Sequence, residues 1–369
     1  MRIYIDGLSY KGTGIGRFYE TLLEEFAIKG YEIHTAIPEH LKNQFQKEFG
    51  KYKNLTIYYT NYGHSFTYFK NFLVHSTFIR DLEKTKKVEV FLYPTINLPF
   101  YVPSKTIVVI HDLIPFSNWW DMGYIKKLYF KFFVDRAIAK AKKIVTVSNF
   151  TKEELIKYNK SVAHKVKVIY PIFKSRLKEY ESSEEEPIID HNYILYIGRR
   201  IFHKNLDGLL RAFKEVKKHL PDYRLIIAGP KENNFDSVNR IIDELGLKDS
   251  VIEFISPPDN VIVNLYKHAK LFVFPSFIEG FGLPSIEAVN LGCPVVLSDI
   301  PVFKEIFGDS GIYFNPYDPI DIADKILSVL NDENIRLNLL DKQNKKINIL
   351  NNEITINKYI ALLKEMIEK

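Results

Sequence analysis

Two carboxylates, Glu279 and Glu287, stand eight positions apart in SFIEGFGLPSIEAVNLGCPVVLSD (residues 276–299), with a glycine-rich turn and a proline between them. The apolar run before the turn reads as a strand ending at Pro275, and Pro284 suits the first position of a helix. The amides of residues 282–285 would then gather at a helix N-terminus, where unsatisfied N–H groups and the macrodipole hold an anion. A carboxylate can only accept hydrogen bonds, so it takes two vicinal hydroxyls well, as on a ribose or a hexose. Glu279 and Glu287 can therefore flank whatever the turn holds. Glu287 can equally complement the helix dipole, a reason that does not extend to Glu279.

A second cluster closes another strand. YIGRRIFHKN supplies Arg199, Arg200, His203, Lys204 and Asn205 ahead of a helix. Guanidinium forks two oxygens and ammonium adds a point charge, so the set suits a diphosphate. In IVVIHDLIPF, His111 and Asp112 follow an apolar strand, the position an open sheet exposes to its ligands. Trp119 and Trp120 come next and either lid a site or pack. KGTGIGRF places Gly12, Gly14 and Gly16 between the first strand and a helix. Their spacing is not that of a dinucleotide fingerprint, and the second strand, YEIHTAIP, ends without the carboxylate that a nicotinamide dinucleotide requires. What remains is a flexible approach to a helix N-terminus, fit for a phosphate or sugar hydroxyl, or a tight turn.

The elements that must position these residues alternate. RIYIDG, YEIHTAIP, EVFLYP, KTIVVIHD and KIVTVS are strands separated by amphipathic stretches, and NYILYIG, YRLIIAG, VIEFIS, KLFVFPS and PVVLSD repeat the pattern. Such alternation predicts an α/β chain with two doubly wound, Rossmann-like parallel sheets. KSRLKEYESSEEEPIID breaks it with charge, serine and proline. The expected domains are residues 1–175 and 191–350, with a linker over 176–190 and a last amphipathic helix, 351–369, returning toward the first domain. A ligand crevice is expected where the two domains face each other.

At 369 residues the chain exceeds one ordinary core, and 46% hydrophobic against 26% charged residues marks a globular protein rather than a disordered one. A single cysteine, Cys293, rules out a disulfide framework or a multi-cysteine metal site. No apolar run reaches membrane-span length and no signal-like segment opens the sequence, so a cytoplasmic protein is expected. The net charge of +6 permits phosphorylated substrates, nucleic acid or an anionic membrane without choosing. Residues 126–143 concentrate seven cations against Asp135, interleaved with aromatics. This is either a basic amphipathic helix at the inner membrane face or a solvated face above a packed aromatic stripe.

Taken together, GTGIGRF, HDLIP, VSNFTKEEL, GRRIFHKN and PSFIEGFGLPSIEA followed by GCPVVLSD resemble the GT-B glycosyltransferases of the large retaining family 4, whose mark is the E-x7-E pair. The likeness covers nearly the whole chain in order, and HDL-x-P and GIGR are most similar to bacterial mannosyltransferases of surface polysaccharide synthesis. The resemblance implies that Arg199 and Lys204 hold the donor diphosphate, with Arg200 beside them as an extra cation and the choice between the two arginines open. It implies that the amides of Gly280, Phe281, Gly282 and Leu283 meet the phosphate and sugar, that Glu279 contacts the sugar and that Glu287 contacts the ribose. His111 is implied near the transferring sugar, and Gly14 and Gly16 in a loop by the phosphate and acceptor.

The implied function is a retaining hexosyltransferase, with mannose from GDP-mannose favoured over a UDP-linked sugar and a glycan or lipid-linked saccharide as acceptor. No cofactor, metal or nucleic acid is expected. No Asp-x-Asp triplet occurs, so cations and a helix terminus would stabilise the leaving diphosphate in place of a metal. A non-catalytic nucleotide- or carbohydrate-binding module is the alternative.

Overall fold

The computed structural model describes residues 1–10, 14–62, 69–117, 123–171, 186–231, 235–348, 350 and 352–368. The chain divides into two compact units: Met1–Phe116, Asp121–Phe173 and Asn351–Lys369 form one, and Ser117–Trp120 with Lys174–Leu350 the other. Gly12, Trp119, Trp120 and positions 176–185 of the expected linker lie outside the described residues.

The first unit is built on a seven-stranded sheet in the order β3-β2-β1-β4-β5-β6-β7. Its strands are β1 (Arg2–Asp6), β2 (Glu32–Pro38), β3 (Leu55–Thr60), β4 (Val90–Tyr93), β5 (Thr106–Ile110), β6 (Lys143–Thr146) and β7 (Val166–Val168). Every pairing is parallel. β4 and β5 are buried at every position, which is why both read as unbroken apolar runs rather than alternating ones. Tyr4, Phe91, Tyr93, Val108, Ile110, Val134 and Leu155 form the core between sheet and helices. Helix Asn352–Glu368 packs on this unit. Tyr359 meets Phe18 with ring centroids 6.2 Å apart, Glu365 bridges Lys143 (3.0 Å) and Lys167 (2.5 Å), and Lys105 Nζ donates to the Ile367 carbonyl at 3.0 Å.

The second unit carries a six-stranded sheet, order β10-β9-β8-β11-β12-β13, again with every pairing parallel. The strands are β8 (Tyr193–Ile197), β9 (Arg224–Gly229), β10 (Val251–Ile255), β11 (Leu271–Phe274), β12 (Val295–Ser298) and β13 (Ile312–Phe314). Ile194, Leu209, Phe213, Leu225, Ile227, Val273, Val296, Ile322 and Ile326 fill its core. The order reverses between β8 and β11, the switch point at which an open parallel sheet presents its strand ends to ligands, and the turns after these two strands lie against each other. Both clusters of chemistry-bearing residues in this unit follow those two strands.

Candidate functional site

The turn after β8 is fixed by two buried polar side chains, Asn205 and Arg200, and by a backbone bond at His203. Asn205 adopts a left-handed conformation (φ 52°), which asparagine tolerates better than most residues. Its Oδ1 accepts from the Gly208 amide at 3.2 Å, capping helix Leu206–His219, while its Nδ2 donates to the carbonyls of Pro275 (3.1 Å) and Pro316 (2.6 Å). One side chain thus ties the β8 turn to the end of β11. The His203 carbonyl accepts from the Phe277 amide at 2.8 Å, a second tie between the same turns. The His203 ring is buried, and burial first, then the Lys204 charge, pushes its pKa down to about 4, so it is neutral near pH 7.

Arg200 corrects the sequence expectation. Its side chain is fully buried: Nη1 donates to the Gly229 (3.4 Å) and Pro230 (3.1 Å) carbonyls, while Nε (3.3 Å) and Nη2 (3.1 Å) both reach Glu253 Oε1. That guanidinium staples the ends of β8 and β9 to β10 and is not turned toward a ligand. Arg199 is exposed, its carbonyl accepting from Tyr196 Oη at 2.9 Å, so of the two arginines it is the one at the surface.

After β11 the chain brings Lys204 and Glu279 together across 75 positions of sequence. Lys204 Nζ donates to Glu279 Oε1, Ser276 Oγ donates to the same oxygen at 2.7 Å, and Nζ also lies 5.1 Å from the centre of the Phe274 ring. Both side chains are nearly enclosed, 15% and 8% exposed, so solvent screens the pair weakly. Both of these bonds to Glu279 fall on Oε1.

Gly280 and Phe281 are buried, and Gly282 caps helix Leu283–Asn290 at φ 92°. A Cβ at Gly282 would stand 2.5 Å from Phe303 Cε1, so both conformation and space demand glycine there. The helix begins at Leu283, one residue before the expected Pro284. The expected run of outward amides is also shorter. Pro284 has no N–H, and Ser285 donates both its N–H (3.0 Å) and its Oγ–H (2.7 Å) to the Gly282 carbonyl. Glu287 sits at the fifth helical position, partly buried.

In the first unit, His111 follows β5. Its Nε2 lies 2.9 Å from the Pro94 carbonyl, which can only accept, so Nε2 carries the proton and Nδ1 is the acceptor. Phe18 holds the ring edge-on at 5.2 Å, and burial pushes the pKa down to about 4. Gly14 and Gly16 are corrected from loop to helix. Gly14 opens helix Gly14–Ile28 and Gly16 is buried in its first turn, because the apolar spacing of Phe18, Leu22 and Phe26 carries the helix back through the glycines.

The basic stretch 126–143 is not one charged face. Arg136 Nη2 turns inward to the Pro99 (2.5 Å) and Phe100 (2.6 Å) carbonyls, Lys143 pairs with Glu365, and Lys131 pairs with Asp135 at 2.7 Å. Sequence reasoning missed Ser276, Glu253 and Tyr196. Ser276 had a signal, three residues before Glu279 at a strand end, whereas Glu253 and Tyr196 sit in apolar strands and become partners only through the sheet.

Family models match both parts of the chain: residues 12–173 fit "Glycosyltransferase Family 4" and residues 178–346 fit "Glycosyl transferases group 1". The O-antigen chain mannosyltransferase RfbU of Salmonella typhimurium is 33% identical over 216 residues, 58% of either chain. O-antigen chain mannosyltransferase B of Escherichia coli is 30% identical over 248 residues, 64% of this chain and 65% of its own. The match thus spans about three-fifths of the length of these relatives. A GDP-mannose:cellobiosyl-diphosphopolyprenol alpha-mannosyltransferase of Xanthomonas oryzae is 37% identical over 119 residues, 32% of this chain and 31% of its own. Among solved structures, a glycosyltransferase of Rickettsia africae superposes over 100% of this chain and 99% of its own, with TM-score 0.72 at 18% identity. A sucrose-phosphate synthase of Thermosynechococcus elongatus does so over 99% and 98%, with TM-score 0.75 at 17% identity. Matched by glycosyltransferase family models along both halves, and built as two parallel-sheet units, the chain belongs to the GT-B glycosyltransferases of family 4.

Proposed function

We propose that the protein transfers mannose from GDP-mannose, with retention and without a metal, to a glycan or lipid-linked saccharide in surface polysaccharide synthesis. The observation that carries this reading is the Lys204–Glu279 pair, set with Ser276 beside the Gly282 helix terminus: a cation for phosphate and a carboxylate for sugar hydroxyls in one place. The mannosyltransferase relatives favour mannose, and the donor and acceptor named for the Xanthomonas relative favour GDP and a polyprenol diphosphate.

In this reading Arg199, Lys204 and the amides of Gly280, Phe281, Gly282 and Leu283 hold the diphosphate. Glu279 accepts from the hexose hydroxyls, and Glu287 from the ribose. His111, neutral with Nδ1 as acceptor, receives a saccharide hydroxyl. In the transfer step the acceptor hydroxyl oxygen bonds the anomeric carbon on the face the diphosphate leaves. The carbon–oxygen bond to phosphate breaks with its electron pair going to the phosphate, and that oxygen takes the hydroxyl proton. Charge grows on the departing diphosphate, so fixed cations and amides stabilise the transition state more than the ground state. The absence of an Asp-x-Asp triplet supports the metal-free form.

The test is a thermal-shift panel of GDP, UDP and ADP with and without EDTA, followed by NMR of the product's anomeric configuration. A ligand at 100 times its Kd stabilises by about 2.7 kcal/mol. GDP alone should shift the transition, EDTA should leave transfer unchanged, and the product should keep the donor's configuration. A shift by UDP alone would move the donor to a UDP-sugar, and binding without turnover on any saccharide acceptor would leave a binding module.

A further inference from the structure

Helix Tyr124–Lys140 carries an exposed apolar ridge that no contact among the described residues covers. Tyr124, Leu128 and Phe132 recur at intervals of four and Ile125 lies beside them, 77%, 48%, 50% and 78% exposed respectively. On an α-helix these four positions fall within an arc of about 100°. The opposite side is the one that packs, through the buried Phe133, Val134, Ala137 and Ile138. Four large exposed apolar side chains on one face of a single helix exceed the scattered single residues of an ordinary surface and mark a face that something covers.

The charges around the ridge say what covers it. Lys126 and Lys127 occupy its first turn, with Lys131 one turn on, and Asp135, the one acidic residue of the helix, is already held by Lys131 (2.7 Å) and the Tyr158 hydroxyl (2.6 Å). A second copy of the chain would bring these lysines against their own equivalents in a two-fold interface, whereas an anionic surface complements them. Among the described residues no helix is long and apolar enough to cross a membrane. A helix of this kind lies in the interface plane, apolar side toward the acyl chains and lysines at the lipid phosphates.

We infer that the face formed by Tyr124, Ile125, Leu128 and Phe132, flanked by Lys126 and Lys127, docks the protein onto an anionic lipid bilayer. The inference stands without the donor assignment, and it would bring the chain to the surface where a lipid-linked acceptor resides.

The experiment is co-sedimentation of the full chain with phosphatidylcholine vesicles, with and without phosphatidylglycerol. The wild-type chain should sediment with the anionic vesicles, less with neutral ones and less as salt rises. Leu128→Ser/Phe132→Ser and Lys126→Glu/Lys127→Glu should each weaken binding by about tenfold or more. All four positions lie on the uncovered side of the helix or in its first turn, so circular dichroism and the GDP-induced thermal shift should match wild type. A wild-type chain that stays in the supernatant with anionic vesicles overturns the inference, as does Leu128→Ser/Phe132→Ser sedimenting like wild type. Light scattering that shows a concentration-dependent dimer abolished by Leu128→Ser/Phe132→Ser, with no vesicle binding, assigns the face to a second copy instead. Loss of the GDP shift with vesicle binding intact would fault the donor reading alone.

Discussion

Replacing Lys204 and Glu279 singly should move nucleotide affinity in opposite senses while both changes cost stability. Lys204→Met keeps the apolar stem over Phe274 but leaves the Glu279 carboxylate with only the Ser276 hydroxyl. Removing one partner of a buried ion pair costs about 3–5 kcal/mol, and the 15% exposure of Lys204 places this case near the lower end. In a unit of this size that is roughly a 6–12 °C fall in melting temperature. Glu279→Gln retains an acceptor oxygen for Ser276 and loses the charge, so it should cost less, about 1–2 kcal/mol. The double variant should recover part of the sum, with a coupling of about 2 kcal/mol. On the proposed reading, a diphosphate in the wild-type site shares Lys204 with Glu279. Glu279→Gln releases the ammonium, so GDP should bind as tightly or tighter, while sugar transfer is lost. Lys204→Met should weaken GDP roughly 10- to 100-fold, the value of one charge-assisted hydrogen bond. Isothermal titration of GDP into the four proteins decides. Equal weakening by both single changes would refute the shared-cation argument, and an unchanged Kd in Lys204→Met would remove that lysine from the phosphate site.

Arg200→Leu should destabilise by about 3 kcal/mol or more because Glu253 and two strand-end carbonyls lose their donor, and Arg200→Lys should not rescue it, which urea unfolding will measure. Arg199→Ala, in contrast, should leave unfolding unchanged and weaken GDP in titration by about tenfold. Gly282→Ala should cost about 1–3 kcal/mol and weaken GDP, since its Cβ must displace the Phe303 ring from a turn at φ 92°. The lowered pKa of His203 links to acid lability. The unfolded chain takes up its proton near pH 6.5 but the folded chain only near 4, so stability is full above about 6.5 and falls with pH across that window by about 3 kcal/mol. His203→Gln should flatten that part of the stability profile in urea titrations at pH 4–7.

The contrast between Arg199 and Arg200 shows how far the sequence reaches. Two identical neighbours at a strand end have the same chemistry in one dimension, and nothing local separates them. The β9 and β10 ends decide, by offering carbonyls and Glu253 to one side of the chain only. The sheets divide in a similar way. Strands buried on both faces, such as β4, β5, β8 and β12, announce themselves as apolar runs. β3, β7 and β13 do not, and all three are sheet edges with partly exposed positions. An edge strand owes its conformation to the neighbour it pairs with, so its own residues need not encode it.

The sequence by itself determined the family, the parallel α/β architecture of both units and the residue types at the turns after β8 and β11, because apolar periodicity and turn chemistry act over a few residues. Only the tertiary structure decided which cation meets Glu279, which arginine is spent inside the protein, and that the stretch 126–143 exposes an apolar ridge rather than a charged face. Each of those depends on groups tens of residues apart, and burial is a property of the fold rather than of the residue.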